Sequence, residues 1–305
     1  MKNSSIQKII PFLWFNNQAE DAVLFYRDVF PNSSTLFLNK WSEDSSFPSD
    51  KVHSVAFKLE DLLFCGFDAG PAFQFNPAIS FFINCETEQE VEYYWNRLSE
   101  SGEVLMPLDS YPFSAQYAWV ADKFGISWQI ILGEEAQQHK IFPSLLFVGD
   151  QVGKARQAME LYTSLFDNSE VRTIFPYGPG AAPNEPDHLA FGDFTLEGQL
   201  FVAMDSGLDH DFTFSEAISL YVNCEDQEEI DGYWDGFTKD GSESMCGWLK
   251  DPFGVSWQIV PRFLWDAFVA GDPIPIFRMM DALLEMRKLD AGILKAAYEG
   301  KNLES

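Results

Sequence analysis

Apolar residues along this chain follow two rhythms, and the order of those rhythms repeats. Residues 9–15, Ile-Ile-Pro-Phe-Leu-Trp-Phe, are a continuous apolar run of strand length. Asn16, Asn17 and Gln18 follow as a turn. Ala19, Ala22, Val23, Tyr26, Val29 and Phe30 then recur at helical spacing and give one apolar face, which Pro31 and Asn32 end. Two to three short strands lead on to an apolar run at 62–67. The unit returns in variant form. A strand at 79–85 precedes a capping box of Thr87 and Glu90, and Val91, Tyr94, Trp95 and Leu98 make the helix face. Strands run through Trp119, and Asp-Lys-Phe-Gly-Ile-Ser-Trp-Gln-Ile at 122–130 closes the unit as a tight turn feeding a strand.

From residue 140 the whole pattern starts again. Ala155, Ala158, Met159, Tyr162, Leu165 and Phe166 repeat the first helix, and Ser219 opens the counterpart of the strand that Ser80 opens. Asp226 with Glu229 repeats the capping box. Ile230, Tyr233, Trp234 and Phe237 repeat the second helix face, and 251–259 repeats the closing motif as Asp-Pro-Phe-Gly-Val-Ser-Trp-Gln-Ile. The first copy carries an insertion in the region 106–116. The pattern therefore predicts strand-helix-strands four times, in a first domain over 1–135 and a second over 140–265. A short polar link at 133–139 joins them. Two short amphipathic helices are expected in an appendage over 266–305, docked on the body and adding little chemistry.

Strand alternation sets a register. If Gln129 faces one side, Ser127 and Ile131 share it, while Trp128 and Ile130 face the helices. The same split separates Ser256, Gln258 and Val260 from Trp257 and Ile259.

Composition narrows the classes. A net charge of -27 disfavours nucleic acid and anionic membrane as partners, since both need basic surface. Cys65, Cys85, Cys224 and Cys246 include no Cys-x-x-Cys pair, so a zinc knuckle or thioredoxin-type site is not expected. Cys85 and Cys224 read as small core residues. The polar start of the chain and the lack of a membrane-length apolar run point to a cytoplasmic protein with reduced thiols.

Three stretches carry a resemblance. They are Lys8-Ile9-Ile10-Pro11-Phe12-Leu13-Trp14-Phe15, the helix from Ala19-Glu20-Asp21-Ala22 to Phe25-Tyr26, and Cys246-Gly247-Trp248-Leu249-Lys250-Asp251 running into Phe253-Gly254-Val255-Ser256-Trp257-Gln258. The chain resembles the PhnB-like family, often labelled 3-demethylubiquinone-9 3-methyltransferase-like, of the glyoxalase/bleomycin-resistance or vicinal oxygen chelate superfamily. The resemblance implies an α+β fold of tandem βαβββ modules, four in one chain, forming two cup-shaped half-barrels, with C-terminal helices added. It also implies an internal pseudo-dimer, hence a monomer, with a further homodimer left open.

Metal-dependent enzymes of that superfamily hold a divalent ion with His, Gln or Glu on strands facing the cup. The closing-strand Glu of the glyoxalase pattern is replaced here by Gln129 and Gln258. Counting back from Tyr26 puts the opening-strand position at Pro11, the matching residue of the second copy is Pro143, and the second modules offer Ser80 and Ser219. All depart from the metal pattern, so no metal and no cofactor are expected. His53 and His188 lie near similar strand starts without aligning, His210 reads as solvated loop, and His139 falls in the link. Gly178-Pro179-Gly180 lacks the third glycine of a dinucleotide-type turn, so the methyltransferase label gains no motif.

What remains is an aromatic cup with neutral polar groups. Gln129, Gln258, Ser80, Ser219, Trp119 and Trp248 are the expected ligand-binding residues for a small organic molecule; packed core is the other reading of the tryptophans. An enzyme of lyase, isomerase or dioxygenase class stands as the alternative, either metal-dependent or using an acid such as Asp68 or Asp205.

Overall fold

The computed structural model describes residues 6–41, 48–133 and 139–301. Most of the expected link and the first residues of the chain lie outside them. The first module runs β1 (Ile9–Phe15), α1 (Ala19–Val29), β2 (Ser33–Lys40), β3 (Val52–Leu59) and β4 (Leu62–Asp68). The second runs β5 (Ile79–Cys85), α2 (Glu88–Leu98), β6 (Glu103–Tyr111), β7 (Ser114–Ala121) and β8 (Ser127–Leu132). In the third, β9 (Ile141–Phe147) and a 3-10 turn (Gly149–Gln151) precede α3 (Ala155–Leu165), β10 (Glu170–Pro176), β11 (Leu189–Leu196) and β12 (Gln199–Asp205). The fourth is β13 (Ile218–Cys224), α4 (Gln227–Thr238), β14 (Ser242–Glu243), β15 (Trp248–Lys250) and β16 (Ser256–Pro261). Three helices follow rather than two: α5 (Phe263–Ala270), α6 (Pro273–Leu284) and α7 (Ala291–Glu299).

The helix starts are satisfied in two ways. Thr87 and Asp226 accept hydrogen bonds from the amides of Glu90 and Glu229. The two glutamates reach one residue further back than a capping box requires, to the amides of Glu86 and Glu225. Helices α1 and α3 have no side-chain cap from their own N-cap residue. A carboxylate from the end of a strand serves instead: Asp68 accepts from the Ala19 amide, and Asp205 from those of Gly153 and Ala155. These exposed amides carry the positive end of the helix dipole, so an anion there is favoured.

The modules pair across the two copies. Sheet I has the order β14-β15-β16-β13-β1-β4-β3-β2, and sheet II the order β10-β11-β12-β9-β5-β8-β7-β6. The first module joins the fourth, and the second joins the third. Each seam is antiparallel: Ile10 opposes Tyr221 and Phe12 opposes Ser219 in sheet I, while Ser80 opposes Ser144 and Phe82 opposes Phe142 in sheet II. Neither copy completes a sheet alone.

The main core lies between the sheets, where helices α1 to α4 also pack. Ile9, Leu13 and Phe15 of β1 enter it together with Phe81, Trp128 and Trp257. Phe64 of sheet I meets Phe81 of sheet II with ring centroids 5.0 Å apart. Tyr26 of α1 touches Phe57 on one sheet and Trp128 on the other. The opposite faces of the sheets, carrying Ile10 and Phe12 in one case and Phe82 and Phe142 in the other, form two cups turned away from each other.

The cups are covered differently. Sheet II has the long β6–β7 hairpin, which contains the insertion of the first copy. In sheet I the matching strands shrink to two and three residues. The C-terminal segment occupies that side: the amides of Cys246 and Gly247 donate to the carbonyls of Met286 and Arg287. Leu264, Trp265 and Met279 of α5 and α6 share an apolar cluster with Ile10, Ala56 and Tyr221. The C-terminal helices are docked on the body of the protein. An apolar cup face exposed by a missing hairpin needs cover, and these helices supply it.

Candidate functional site

Sheet I's cup and its helical cover enclose a cavity of about 450 Å³. Phe12, Trp14, Phe67, Phe73, Tyr221 and Trp248 form its aromatic wall, and Phe268, Met280 and Leu283 come from the covering helices. Its rings meet mostly edge to face, as with Trp14 and Phe73 at 4.9 Å and 86°. The polar groups facing it include His53, Ser54, Glu216 and Gln258. Glu216 is paired with Lys250 at 3.0 Å.

His53 owes its place to a β-bulge. In the β2–β3 ladder Asn39 opposes Ser54 and Lys40 opposes Val52, so His53 has no partner residue. A bulge breaks strand alternation and re-aims a side chain. Here it lets His53 and Ser54, adjacent in sequence, both line the cavity. The imidazole is 6% exposed and lies among the rings of Trp41, Phe268 and Phe277. Its Nδ1 has no hydrogen-bond partner among the described residues. Burial lowers its pKa to about 4, so the ring is neutral at pH 7. The second copy has the same bulge, with Ala190 skipped between Leu189 and Phe191.

Sheet II's cup is filled from within. Phe82 and Phe142 stack at 5.3 Å, and the insertion brings Tyr111 and Phe113 against Tyr117. The Tyr117 hydroxyl donates to Gln129 Oε1 at 2.6 Å, and Gln129 Nε2 donates to Ser80 Oγ at 2.7 Å. Trp119 Nε1 donates to Ser127 Oγ.

The six residues singled out from sequence therefore divide between two cups. Gln258 and Trp248 line the cavity of sheet I, with Ser219 beneath them accepting from Gln258 Nε2 at 2.9 Å. Gln129, Ser80 and Trp119 belong to the hydrogen-bonded filling of sheet II. The expected register is present: Gln129 is in the cup, while Trp128 is in the inter-sheet core and donates from Nε1 to Asp122. The counted opening-strand position needs correction. Ile9, Leu13 and Phe15 point to the core, so Pro11 shares their side, and Phe12 is the neighbour that faces the cup. Pro143 lies likewise between Phe142, which faces the cup of sheet II, and Ser144.

The positions where the superfamily pattern has ligands hold two glutamines tied to two serines, and an aromatic ring in place of an imidazole. No group of three or more His, Cys, Asp or Glu side chains could hold a metal among the described residues. Asp68 and Asp205 are occupied by backbone amides, which gives both a structural task. His139 pairs with Asp61, His210 with Ser206, and His188 accepts from the Glu185 amide. His53, set aside in the sequence because it does not align with His188, gives no periodic sign of this role, since a bulge leaves none. No described helix is long and apolar enough to cross a membrane.

The model of the 3-demethylubiquinone-9 3-methyltransferase family matches residues 7–131 and again 139–260. The chain belongs to this PhnB-like family. Its membership places it in the vicinal oxygen chelate superfamily, with the duplication that the repeat implies. The PhnB protein from Bacillus cereus, which carries the 3-demethylubiquinone-9 3-methyltransferase label, is 37% identical over 42% of this chain and all of its own, with a TM-score of 0.40. Glyoxalase I from Zea mays shares the fold at 10% identity, over 86% of this chain and 97% of its own, with a TM-score of 0.56. The genomically encoded fosfomycin resistance protein of Listeria monocytogenes is 13% identical over 43% of this chain and 95% of its own, at a TM-score of 0.34. No curated protein matches the chain.

Proposed function

We propose that this PhnB-like chain binds a small organic molecule, without a metal, in the cavity between sheet I and the C-terminal helices. One observation carries the reading: a buried, neutral histidine is set by a bulge into an aromatic cavity with its Nδ1 unpartnered among the described residues. An unsatisfied buried polar atom costs about 1–3 kcal/mol, and a ligand hydrogen bond would offset that cost. Trp248, Gln258 and Ser219 belong to this site. Gln129, Ser80 and Trp119, equivalent by repeat, serve the packing of the other cup. The family's methyltransferase label is not adopted, because the residues around the cavity provide no glycine-rich cofactor turn.

The same reading takes the chain as a cytoplasmic monomer, since four modules supply both sheet seams internally. Native mass spectrometry of freshly purified protein tests the binding function. A non-covalent adduct of a few hundred daltons, lost in His53→Phe, is expected. A clean apo spectrum, together with no thermal shift against a panel of aromatic compounds, would overturn it. Light scattering of a tetramer or larger would overturn the assembly.

A further inference from the structure

The two cups hold matching glutamines in different states. Trp119 opposes Gln129 and Trp248 opposes Gln258 in their ladders, so the glutamines occupy equivalent register positions. Each donates through Nε2 to the serine of the neighbouring strand. Among the described residues only Gln129 Oε1 has a donor, the phenol of Tyr117 at 2.6 Å. Two residues before Trp248 stands Cys246, where the chain has left the strand for a turn with φ 63°. No phenol reaches Gln258, and no described residue donates to its Oε1. The space beside it is the cavity. Tyr221, opposite Gln258 in the ladder, also lines that cavity, where the second cup has Phe82, and no described residue hydrogen-bonds its hydroxyl.

We infer that the ligand of sheet I's cup is an uncharged aromatic alcohol whose hydroxyl donates to Gln258 Oε1, as the Tyr117 phenol donates to Gln129. This specifies the class of ligand for the binding function proposed above and rests on it. The aromatic wall of Phe12, Trp14 and Trp248 suits a planar ring. A neutral ligand avoids both the desolvation of a charge and the repulsion that a net charge of -27 imposes on anions. The Tyr221 hydroxyl can donate to the oxygen of the same ligand group, and the bond donated to Gln258 Oε1 is what requires a hydroxyl rather than an ether.

The test measures binding of 2-naphthol, 2-methoxynaphthalene and naphthalene to the full chain by calorimetry. We expect 2-naphthol to bind about tenfold or more tighter than its methyl ether, the scale of one well-made buried hydrogen bond. Gln258→Leu should erase that preference, bringing 2-naphthol and its methyl ether to equal affinity, and Gln258→Glu, which keeps an acceptor, should retain it. A second arm uses Tyr117→Ala, which opens a ring-sized gap in the other cup: p-cresol should raise its Tm, and toluene should raise it less. Equal affinity of all three naphthalenes for the wild type, a preference that survives Gln258→Leu, or equal effects of p-cresol and toluene would overturn the inference. The binding function would survive those results. Failure of all three naphthalenes to bind, with an apo native mass spectrum, would remove both.

Discussion

The Tyr26 hydroxyl donates to Asp122 Oδ2 at 2.8 Å, and the second copy repeats the bond between Tyr162 and Asp251 at 2.5 Å. Each aspartate also receives an indole N–H, from Trp128 or Trp257, and two amides of its own turn. This is what the repeated Asp-x-Phe-Gly-x-Ser-Trp motif builds. It bolts the helix of one module to the closing strand of the next, across the boundary between the two sheets.

Tyr26→Phe leaves the ring in place and removes one donor to a buried carboxylate. We expect a loss of about 1–3 kcal/mol in urea unfolding, and a similar loss for Tyr162→Phe. Asp122→Ala should cost more than either, because it strands the hydroxyl, the indole N–H and two amides together. Equal stability of Tyr26→Phe and wild type would show that the bond adds nothing.

Trp128 and Gln129 are neighbours on opposite faces of β8. Trp128→Ala should cost roughly 3–5 kcal/mol through a cavity in the core. Gln129→Leu removes two side-chain hydrogen bonds but keeps the volume, and should cost less, about 1–3 kcal/mol. The reverse order in thermal unfolding would contradict this division of labour.

Asp251 is buried, and burial raises its pKa to about 6 against hydrogen bonds that lower it. Between about pH 4 and 6 the folded chain then binds more protons at this site than the unfolded chain. Its contribution to stability is complete below the unfolded pKa near 4 and is lost as pH rises through 6. Asp251→Asn should remove that falling component from the stability–pH profile, read as the difference between the two proteins. An unchanged slope from pH 4 to 6 would count against it.

His53 acts with the opposite sign. Its folded pKa of about 4 lies below its ordinary value, so stability from its neutral form is complete above about pH 6.5 and lost as pH falls through 4. Relative to His53→Phe, the wild type should lose up to about 3 kcal/mol across that window. Ligand affinity should hold down to about pH 5 and weaken only as pH falls through 4, where the ring of the folded chain gains its proton. Chemical denaturation at pH 7, 5.5 and 4.5 measures the stability, and calorimetry at pH 5.5, 4.5 and 4 the affinity.

Ending the chain after Pro261 would remove α5 to α7 and uncover Ile10, Phe12, Ala56 and Tyr221. We expect strong binding of the dye ANS, lowered solubility, and loss of ligand affinity. A truncated protein that stays monomeric, binds no dye and retains its ligand would refute the covering role of these helices.

Much of this protein was determined by local pattern. The helix faces at Ala19 and Ala155, the turns at Asp122 and Asp251, and the alternation that separates Trp128 from Gln129 all follow from periods of 3.6 and 2. So do the four modules and the family resemblance. Other features depended on contacts between distant residues. Strand pairing is non-local, so the joining of the first module to the fourth could not be read from segments whose own patterns fit several partners. Two glutamines in identical motifs differ because one meets Tyr117 and the other faces a turn at Cys246. His53 reaches the cavity through a bulge, a single skipped pairing that leaves composition and periodicity unchanged. The C-terminal helices look peripheral as sequence, and only the shortened hairpin opposite them makes their apolar faces part of a site.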